Sequence, residues 1–293
     1  MRFVVGVFVA LLAACGAAAQ ESPPGAPSAD ASLAVEPTIA PSVDVAPPPS
    51  ATSPSVGMAP KPLGTVDGAP LGYLEHLPAG YGSGEAVPLL VFLHGAGEAG
   101  DGSEEALALV DDLGIPQLIA EGDWPDDRPF VVLAPQYATR YAEARCDFAD
   151  DLAAFLDFAT QRYEVDSARV YLTGVSCGAI GTWDYFATHS GDGVVAASVT
   201  ISGHGEWALE EAGCDLAAMP PMWAFHGAAD DVVPVAHIEG PMDQLRACDG
   251  ADPDGLELTV YPDTDHIQPI NRTYDLSAGH DIYAWLLEHT SDQ

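Results

Sequence analysis

The chain has 293 residues, of which 44 are acidic and 9 are Lys or Arg, so its formal net charge is −35. Binding to the phosphates of nucleic acids needs many cationic side chains, so this composition excludes a nucleic-acid partner and disfavours direct binding to an anionic membrane surface. The length and the hydrophobic content of 48% allow one large or two small domains with a packed core.

The first 14 residues have the pattern of an export signal, an uncharged apolar run over 3–14 that is too short to span a bilayer. The run leads into LAAC, ending at Cys15, which resembles the bacterial lipobox. This resemblance implies lipidation of Cys15 and, because Gly16 rather than Asp follows, attachment to the outer membrane or cell surface. The alternative is ordinary cleavage after residues 17–19, which would release a periplasmic or secreted protein. We favour the lipoprotein.

A proline-rich segment follows the export signal. Residues 21–62 hold 11 of the 25 prolines and no aromatic residue, so this segment is expected to form an extended tether rather than a packed core. The predicted organisation is a signal peptide over 1–14, a tether over 15–62 and one domain without visible repeats over 63–293.

From residue 73 onward, short apolar runs alternate with longer amphipathic ones. Six runs predict strands, namely Leu89–Leu93, Phe130–Leu133, Val170–Thr173, Val195–Ile201, Met222–Phe225 and Leu256–Tyr261. Helical periodicity occurs near 147–163, 177–189, 236–247 and 279–289. The alternation predicts an α/β fold, with a mostly parallel sheet covered by helices on both faces. Functional residues of such sheets gather at the carboxyl ends of the strands.

A serine flanked by glycines follows the strand Val170–Thr173. The pentapeptide GVSCG, residues 174–178, lies between this strand and a predicted helix. That context is typical of a nucleophile elbow, a sharp turn that exposes the serine hydroxyl. We therefore predict Ser176 as a nucleophile.

A nucleophilic serine needs a base to take its proton and an acid to orient that base. In this kind of fold both lie downstream, the acid before the histidine. Asp230 follows the strand Met222–Phe225 and is the predicted acid, in preference to its neighbour Asp231, which is expected to be solvated or to cap a helix. His266 follows the strand Leu256–Tyr261 and is the predicted base.

The other histidines are weaker candidates for the base. His204 is the one rival with a suitable location, but it precedes the acid in the chain. His94 and His226 stand beside glycines and are expected to support loops, whereas His280 and His289 are expected to fall in the C-terminal helix.

Acyl transfer also needs hydrogen-bond donors for the negatively charged oxygen of the tetrahedral intermediate. The tetrapeptide HGAG, residues 94–97, follows the first predicted strand, and its glycines allow backbone N–H groups to turn toward the site. The predicted donors are the N–H groups of Ala96 and Cys177.

Five segments together resemble α/β-hydrolases over about residues 70–289. They are FLHGAGEAGDG, VLAPQ, YLTGVSCGAIGTWD, WAFHGAADDVVPV and YPDTDH…YAWLL. More narrowly, they resemble secreted predicted-peptidase and phospholipase/carboxylesterase-like enzymes, which are related to polyhydroxybutyrate depolymerases and feruloyl esterases. The resemblance implies hydrolysis of carboxylic esters through an acyl-enzyme on Ser176, with His266 carrying the proton and Asp230 orienting it. The sequence departs from the group at Ala99, Cys177, Ala179 and Asp265.

Two other functions stay open at this point: a serine peptidase with the same triad, and a non-catalytic, surface-binding lipoprotein with a hydrolase fold. The expected partner is a small or polymeric ester. Because 40 of the 44 acidic residues lie within 63–293, neutral or cationic esters are favoured over polyanionic ones.

We find no metal or cofactor signature, and the Asp-rich segment Asp249–Gly255 is interpreted as a solvated loop. Nothing in the sequence specifies an oligomeric state.

Four cysteines besides Cys15 lie in a chain expected to be exported, where pairing is favoured. Cys214 precedes a strand and Cys248 ends the helix that returns from the other end of that strand, so a disulfide between them is predicted. Cys146 and Cys177 are both expected at the opposite end of the sheet. For this pair we favour the alternative that Cys177 is an unpaired, small buried side chain.

Overall fold

The computed structural model describes residues 57–138 and 145–291. The predicted signal peptide, the predicted lipidation site Cys15 and most of the predicted tether lie outside these residues. Among the described helices, none is both long enough and apolar enough to cross a membrane.

Over the described residues the chain forms one eight-stranded sheet with the strand order β1-β2-β4-β3-β5-β6-β7-β8. The strands are β1 (Ala59–Lys61), β2 (Tyr73–His76), β3 (Val87–Leu93), β4 (Val131–Pro135), β5 (Val165–Val175), β6 (Ala197–Ile201), β7 (Met222–Gly227) and β8 (Leu256–Tyr261). Strands β3 to β8 pair in parallel, whereas β2 runs antiparallel to both β1 and β4. The predicted mostly parallel sheet and its six predicted strands are confirmed.

The α-helices of the described residues are α1 (Glu104–Leu107), α2 (Gly114–Glu121), α3 (Ala149–Arg162), α4 (Cys177–His189), α5 (Glu206–Ala212), α6 (Ala236–Arg246), α7 (Gln268–Tyr274) and α8 (Ile282–Leu287). The four predicted helices correspond to α3, α4, α6 and α8. His280 and His289 lie just outside α8, so the prediction that they fall within the C-terminal helix is wrong.

The sheet is covered on both faces, as its continuously apolar strands require. Along β3, Leu89 and Leu93 pack into a core with α3, α4 and α6, whereas Leu90 and Phe92 pack into a second core with α2, α7 and α8. Successive strand residues point to opposite faces, so each apolar run supplies both cores.

The folded domain begins earlier than the sequence predicts, because β1 lies within the predicted tether. Ala59–Lys61 pair with β2, and Met58 is buried in the second core. The Lys61 ammonium lies 3.0 Å from the Glu75 carboxylate, which is 7% exposed. A three-residue edge strand shows no hydrophobic periodicity, and an edge position tolerates Pro60, so the proline content concealed this strand.

A chain that begins at residue 63 should therefore be less stable than one that begins at residue 57. The shorter chain loses the burial of Met58 and leaves Glu75 without its cation, which together should lower the free energy of unfolding by about 3 kcal/mol or more. Urea unfolding of the two chains measures this difference, and Lys61→Met in the longer chain isolates the ion pair. Equal midpoints and slopes for the two chains would contradict a structural role for β1.

The predicted Cys214–Cys248 disulfide is present and joins the segment before β7 to the residues just after α6. It lies at the amino end of β7, the end of the sheet opposite to the carboxyl ends of the strands.

Candidate active site

Ser176 occupies a sharp turn between β5 and α4. Its φ angle is +50°, in the left-handed region that non-glycine residues rarely adopt. The Ser176 N–H donates to the carbonyl of Ile201 at 2.9 Å, and the Ser176 carbonyl accepts from the N–H of Ile180 at 3.0 Å. These bonds tie the turn to β6 on one side and to the first turn of α4 on the other, so the strained conformation is held by its surroundings.

The two glycines of the turn are required by close approaches of backbone. A Cβ added at Gly174 would lie 2.5 Å from the carbonyl of Gly178, and one added at Gly178 would lie 2.1 Å from the carbonyl oxygen of Leu93. Gly178 thus lets α4 begin directly against the end of β3. The predicted nucleophile-elbow geometry of residues 174–178 is present.

Three predicted side chains form one chain of hydrogen bonds. His266 Nε2 lies 2.9 Å from Ser176 Oγ, and His266 Nδ1 lies 2.7 Å from Asp230 Oδ2. Because a carboxylate only accepts, Nδ1–H donates to Asp230, which leaves Nε2 to accept the serine proton. Asp230 and His266 are buried, so solvent competes little for these bonds.

The loops after β7 and β8 lie directly against each other, and this contact brings the acid to the histidine. The N–H of Ala228 donates to Tyr261 and that of Ala229 donates to Thr264, both at 2.9 Å. A Cβ at Gly227 would lie 2.3 Å from the carbonyl oxygen of Asp265. From the position just after β6, Ser202 Oγ donates to the carbonyl of His266 at 2.8 Å.

Asp230, rather than Asp231, carries the hydrogen bonds. Its Oδ1 accepts from the N–H groups of Val232 and Val233 at 2.9 and 2.8 Å, so Oδ2 is directed toward His266. The Asp231 side chain is exposed. His226 Nε2 donates to the carbonyl of Val233 at 2.7 Å and also lies 3.2 Å from Asp230 Oδ2, so this buried ring closes the loop that holds the acid.

The other histidines near the site are kept neutral by burial. Burial lowers the pKa of His94 to about 4 and that of His204 to about 4, and it also lowers the pKa of His226. His204, the rival base, packs edge-to-face on Trp207 with ring centroids 4.3 Å apart. The hydrogen bond to Ser176 is made by His266 instead.

The predicted oxyanion donors lie on two adjacent elements. Ala96 begins a short 3-10 turn, Ala96–Glu98, just after β3, and Cys177 is the first residue of α4. The first N–H groups of a helix have no partner within the helix. Within the described part of the chain, no hydrogen bond engages the N–H of Ala96 or of Cys177. Both groups are thus free to bind a ligand oxygen.

The unusual acid before the predicted base is turned away from it. Asp265 Oδ1 accepts from the N–H groups of Ile267 and Gln268, both at 3.0 Å, so it caps the start of α7. These backbone donors lower the pKa of the Asp265 carboxyl.

Sequence reasoning missed several supports of the site. Gln136, just after β4, donates to the carbonyls of Glu98 and Ala106 and accepts from the N–H of Gly102, so its buried amide holds the loop after β3. Cys146 forms a disulfide with Cys177. The expectation that Cys177 is unpaired is therefore wrong: the loop before α3 folds over the start of α4. The sequence signals for this pair were the even number of cysteines and the expected position of both residues at the same end of the sheet.

A serine lies at a strand-to-helix turn and is hydrogen-bonded to a histidine, which is hydrogen-bonded in turn to an aspartate, and both partners come from loops after later strands of a mostly parallel sheet. This arrangement is that of the α/β-hydrolase fold. No protein-family model and no curated protein matches the sequence. Solved structures do resemble it. A thermostable esterase shares 23% identity with a TM-score of 0.53 over 75% of this chain, and this chain covers 59% of that protein's length.

Esterase 2 of Thermogutta terrifontis is also similar in structure. Its form phosphorylated by paraoxon has 17% identity and a TM-score of 0.52, over 81% of this chain and 98% of that one. Its form phosphoramylated by tabun has 18% identity and a TM-score of 0.51, over 80% of this chain and 96% of that one. At these identities the likeness shows the fold, and the predicted α/β-hydrolase fold is confirmed.

Proposed function

We propose that this protein is a serine hydrolase that cleaves carboxylic esters, with Ser176 as nucleophile, His266 as general base and Asp230 as the residue that orients His266. One observation carries the proposal: the hydrogen-bond chain from Ser176 Oγ to His266 to Asp230, built on a strained turn beside two free N–H groups. A surface-binding role alone would not require this arrangement.

In the proposed reaction, His266 Nε2 takes the proton of Ser176 as Oγ attacks the carbonyl carbon of the ester. The N–H groups of Ala96 and Cys177 stabilise the negative oxygen of the tetrahedral intermediate. His266 then gives its proton to the departing alkoxide, and an alcohol leaves. Water, activated by the same histidine, hydrolyses the acyl-enzyme and restores Ser176.

The surroundings of the site favour an ester that is apolar or uncharged near the reacting carbonyl. Val232 and Ile267 are 63% and 51% exposed, and they lie on the loops that carry Asp230 and His266. They can contact an acyl or alcohol group next to the nucleophile. The acidic surface should repel polyanions. Plant-polymer acyl esters, short polyester fragments and acylglycerols fit this description.

The proposal includes export and anchoring through a lipid on Cys15, at the outer membrane or cell surface. Two disulfides among the described residues, Cys146–Cys177 and Cys214–Cys248, support an oxidising compartment. Labelling of cells with an alkyne fatty acid should mark the wild-type protein and not a Cys15→Ala variant.

The test of the activity is covalent labelling with a fluorophosphonate, followed by peptide mass spectrometry and a substrate panel. We expect one label per chain on Ser176, rapid hydrolysis of p-nitrophenyl acetate and little cleavage of peptide amides. Labelling of Ser176 together with faster cleavage of peptides than of esters would establish a peptidase instead. A folded protein that takes no label would overturn the hydrolase proposal.

A further inference from the structure

The two candidate oxyanion donors belong to different elements, so their alignment depends on what joins these elements. The Ala96 N–H lies on the turn after β3, and the Cys177 N–H lies at the start of α4. Donors of this kind must lie about 2.7 to 3.1 Å from the oxygen that becomes charged. A shift of either element would therefore weaken the stabilisation of the intermediate.

One end of the connection is the Cys146–Cys177 disulfide, which is attached to the residue next to the nucleophile. Both cysteines are buried, with exposed fractions of 0% and 1%. Arg145 and Cys146 have φ angles of +56° and +60°. Two consecutive non-glycine residues in the left-handed region are energetically unfavourable. The backbone adopts this strained conformation where it presents Cys146 to Cys177.

The other end of the connection is a stack of three rings. Phe148 stacks on Tyr137 with ring centroids 3.7 Å apart, and Tyr137 stacks on His94 at 3.8 Å. Tyr137 also donates to His94 twice, from its N–H to Nε2 and from its hydroxyl to the carbonyl. His94 Nδ1–H then donates to the carbonyl of Gly95, directly before Ala96.

The segment Cys146–Phe148 thus contacts both elements. Besides the disulfide, the Phe148 ring packs on α4 at Gly181, where a Cβ would lie 2.1 Å from a ring carbon. A continuous path of covalent bonds and buried contacts runs from Cys177 through this segment and the ring stack to Ala96.

We propose that the Cys146–Cys177 disulfide positions the oxyanion site, with Cys146 as a positioning residue that acts through the backbone N–H of Cys177. The proposal rests on the proposed serine hydrolase function. The bridge would hold the Cys177 N–H in register with that of Ala96, and its loss would reduce stabilisation of the tetrahedral intermediate more than binding of the ester.

The experiment compares the double variant Cys146→Ala/Cys177→Ala with Cys214→Ala/Cys248→Ala. The first variant keeps both N–H groups and removes only the bridge. The second is a matched control, because the two bridges have sequence separations of 31 and 34 residues and should contribute similarly to stability. Active sites are titrated with a fluorophosphonate, so that kcat for p-nitrophenyl acetate refers to folded enzyme. Affinity for a trifluoromethyl ketone, which forms a tetrahedral adduct, is measured in parallel.

For the variant without the Cys146–Cys177 bridge we expect kcat to fall about 10- to 100-fold. This fall is no larger than the fall in kcat that removal of one oxyanion donor causes. KM should stay within about twofold, because the ground state depends less on donor alignment, and ketone affinity should fall with kcat/KM. The control should keep wild-type values per titrated site.

An unchanged kcat per titrated site, or an equal fall of kcat in both double variants, would overturn the positioning role of the bridge. Activity of the wild-type protein would still support the hydrolase function in that case. If the first variant does not fold, Phe148→Leu keeps the bridge and removes the ring between Tyr137 and Gly181. This variant should lower kcat with KM unchanged. Wild-type kinetics for it would overturn the proposal, because the bridge is connected to Ala96 through the Phe148 ring. A wild-type protein that neither labels nor hydrolyses the ester would refute the proposed function itself.

Discussion

Replacing Ser176 with alanine should lower kcat for p-nitrophenyl acetate by about 10⁵- to 10⁶-fold and abolish labelling by a fluorophosphonate. The hydroxyl oxygen, 2.9 Å from His266 Nε2, is the atom that forms the acyl-enzyme in the proposed mechanism. Alanine keeps the Cβ, so the turn at φ +50° carries the same steric cost with either side chain. The free energy of unfolding should therefore change little.

Ser198→Ala is the matched control for this substitution. Ser198 is a buried serine on β6, and its Oγ has no hydrogen-bond partner within the described residues. Its removal should leave kcat within about twofold of the wild type, because no group of the site depends on it. Residual activity of Ser176→Ala above about one percent, in a preparation shown by mass spectrometry to be free of wild-type protein, would contradict Ser176 as nucleophile.

Replacing Asp230 with asparagine should lower kcat by about 10⁴-fold. An amide nitrogen in place of Oδ2 cannot accept the Nδ1–H bond that now measures 2.7 Å. His266 would then carry its proton on Nε2 and could not accept the proton of Ser176. The kinetics are measured on p-nitrophenyl acetate, and labelling by a fluorophosphonate should slow in parallel.

Asp231→Asn provides the control, since it removes the same charge from the adjacent position. Its side chain is exposed, whereas the Asp230 side chain is fully buried. A long-range charge effect would be similar for both substitutions, so only a direct contact with His266 separates them. Equal kinetic effects of the two would refute the assignment of Asp230.

Much of the central sheet could be predicted because its strands are buried on both faces and appear as continuous apolar runs. The first two strands, β1 and β2, could not be predicted, since β1 has three residues and β2 has four. The start of the domain was misplaced for that reason. These two strands stabilise the domain through strand pairing and through the Lys61–Glu75 ion pair. Short-range sequence patterns do not reveal either kind of contact.

Among the histidines, too, one feature could be predicted from the sequence and another could not. The position of His266 after the last strand of the sheet indicated its role, because carboxyl ends of parallel strands share one edge of the sheet. The ring stack of His94, Tyr137 and Phe148 left no pattern in the sequence, because its members lie 43 and 11 residues apart and meet only when their loops fold over α4.

By itself the sequence determined the local geometry at Ser176. Gly174 and Gly178 have no side chain, and the sharp turn at Ser176 requires this because other backbone atoms come close to both positions. Only the tertiary structure decided which residues meet Ser176. His266 is 90 residues away in the chain, and Asp230 lies 36 residues before His266. Their meeting depends on the parallel order of β5 to β8, and the Cys146–Cys177 bridge depends on the path of one loop. Such contacts form through the packing of distant segments, which local sequence preferences do not encode.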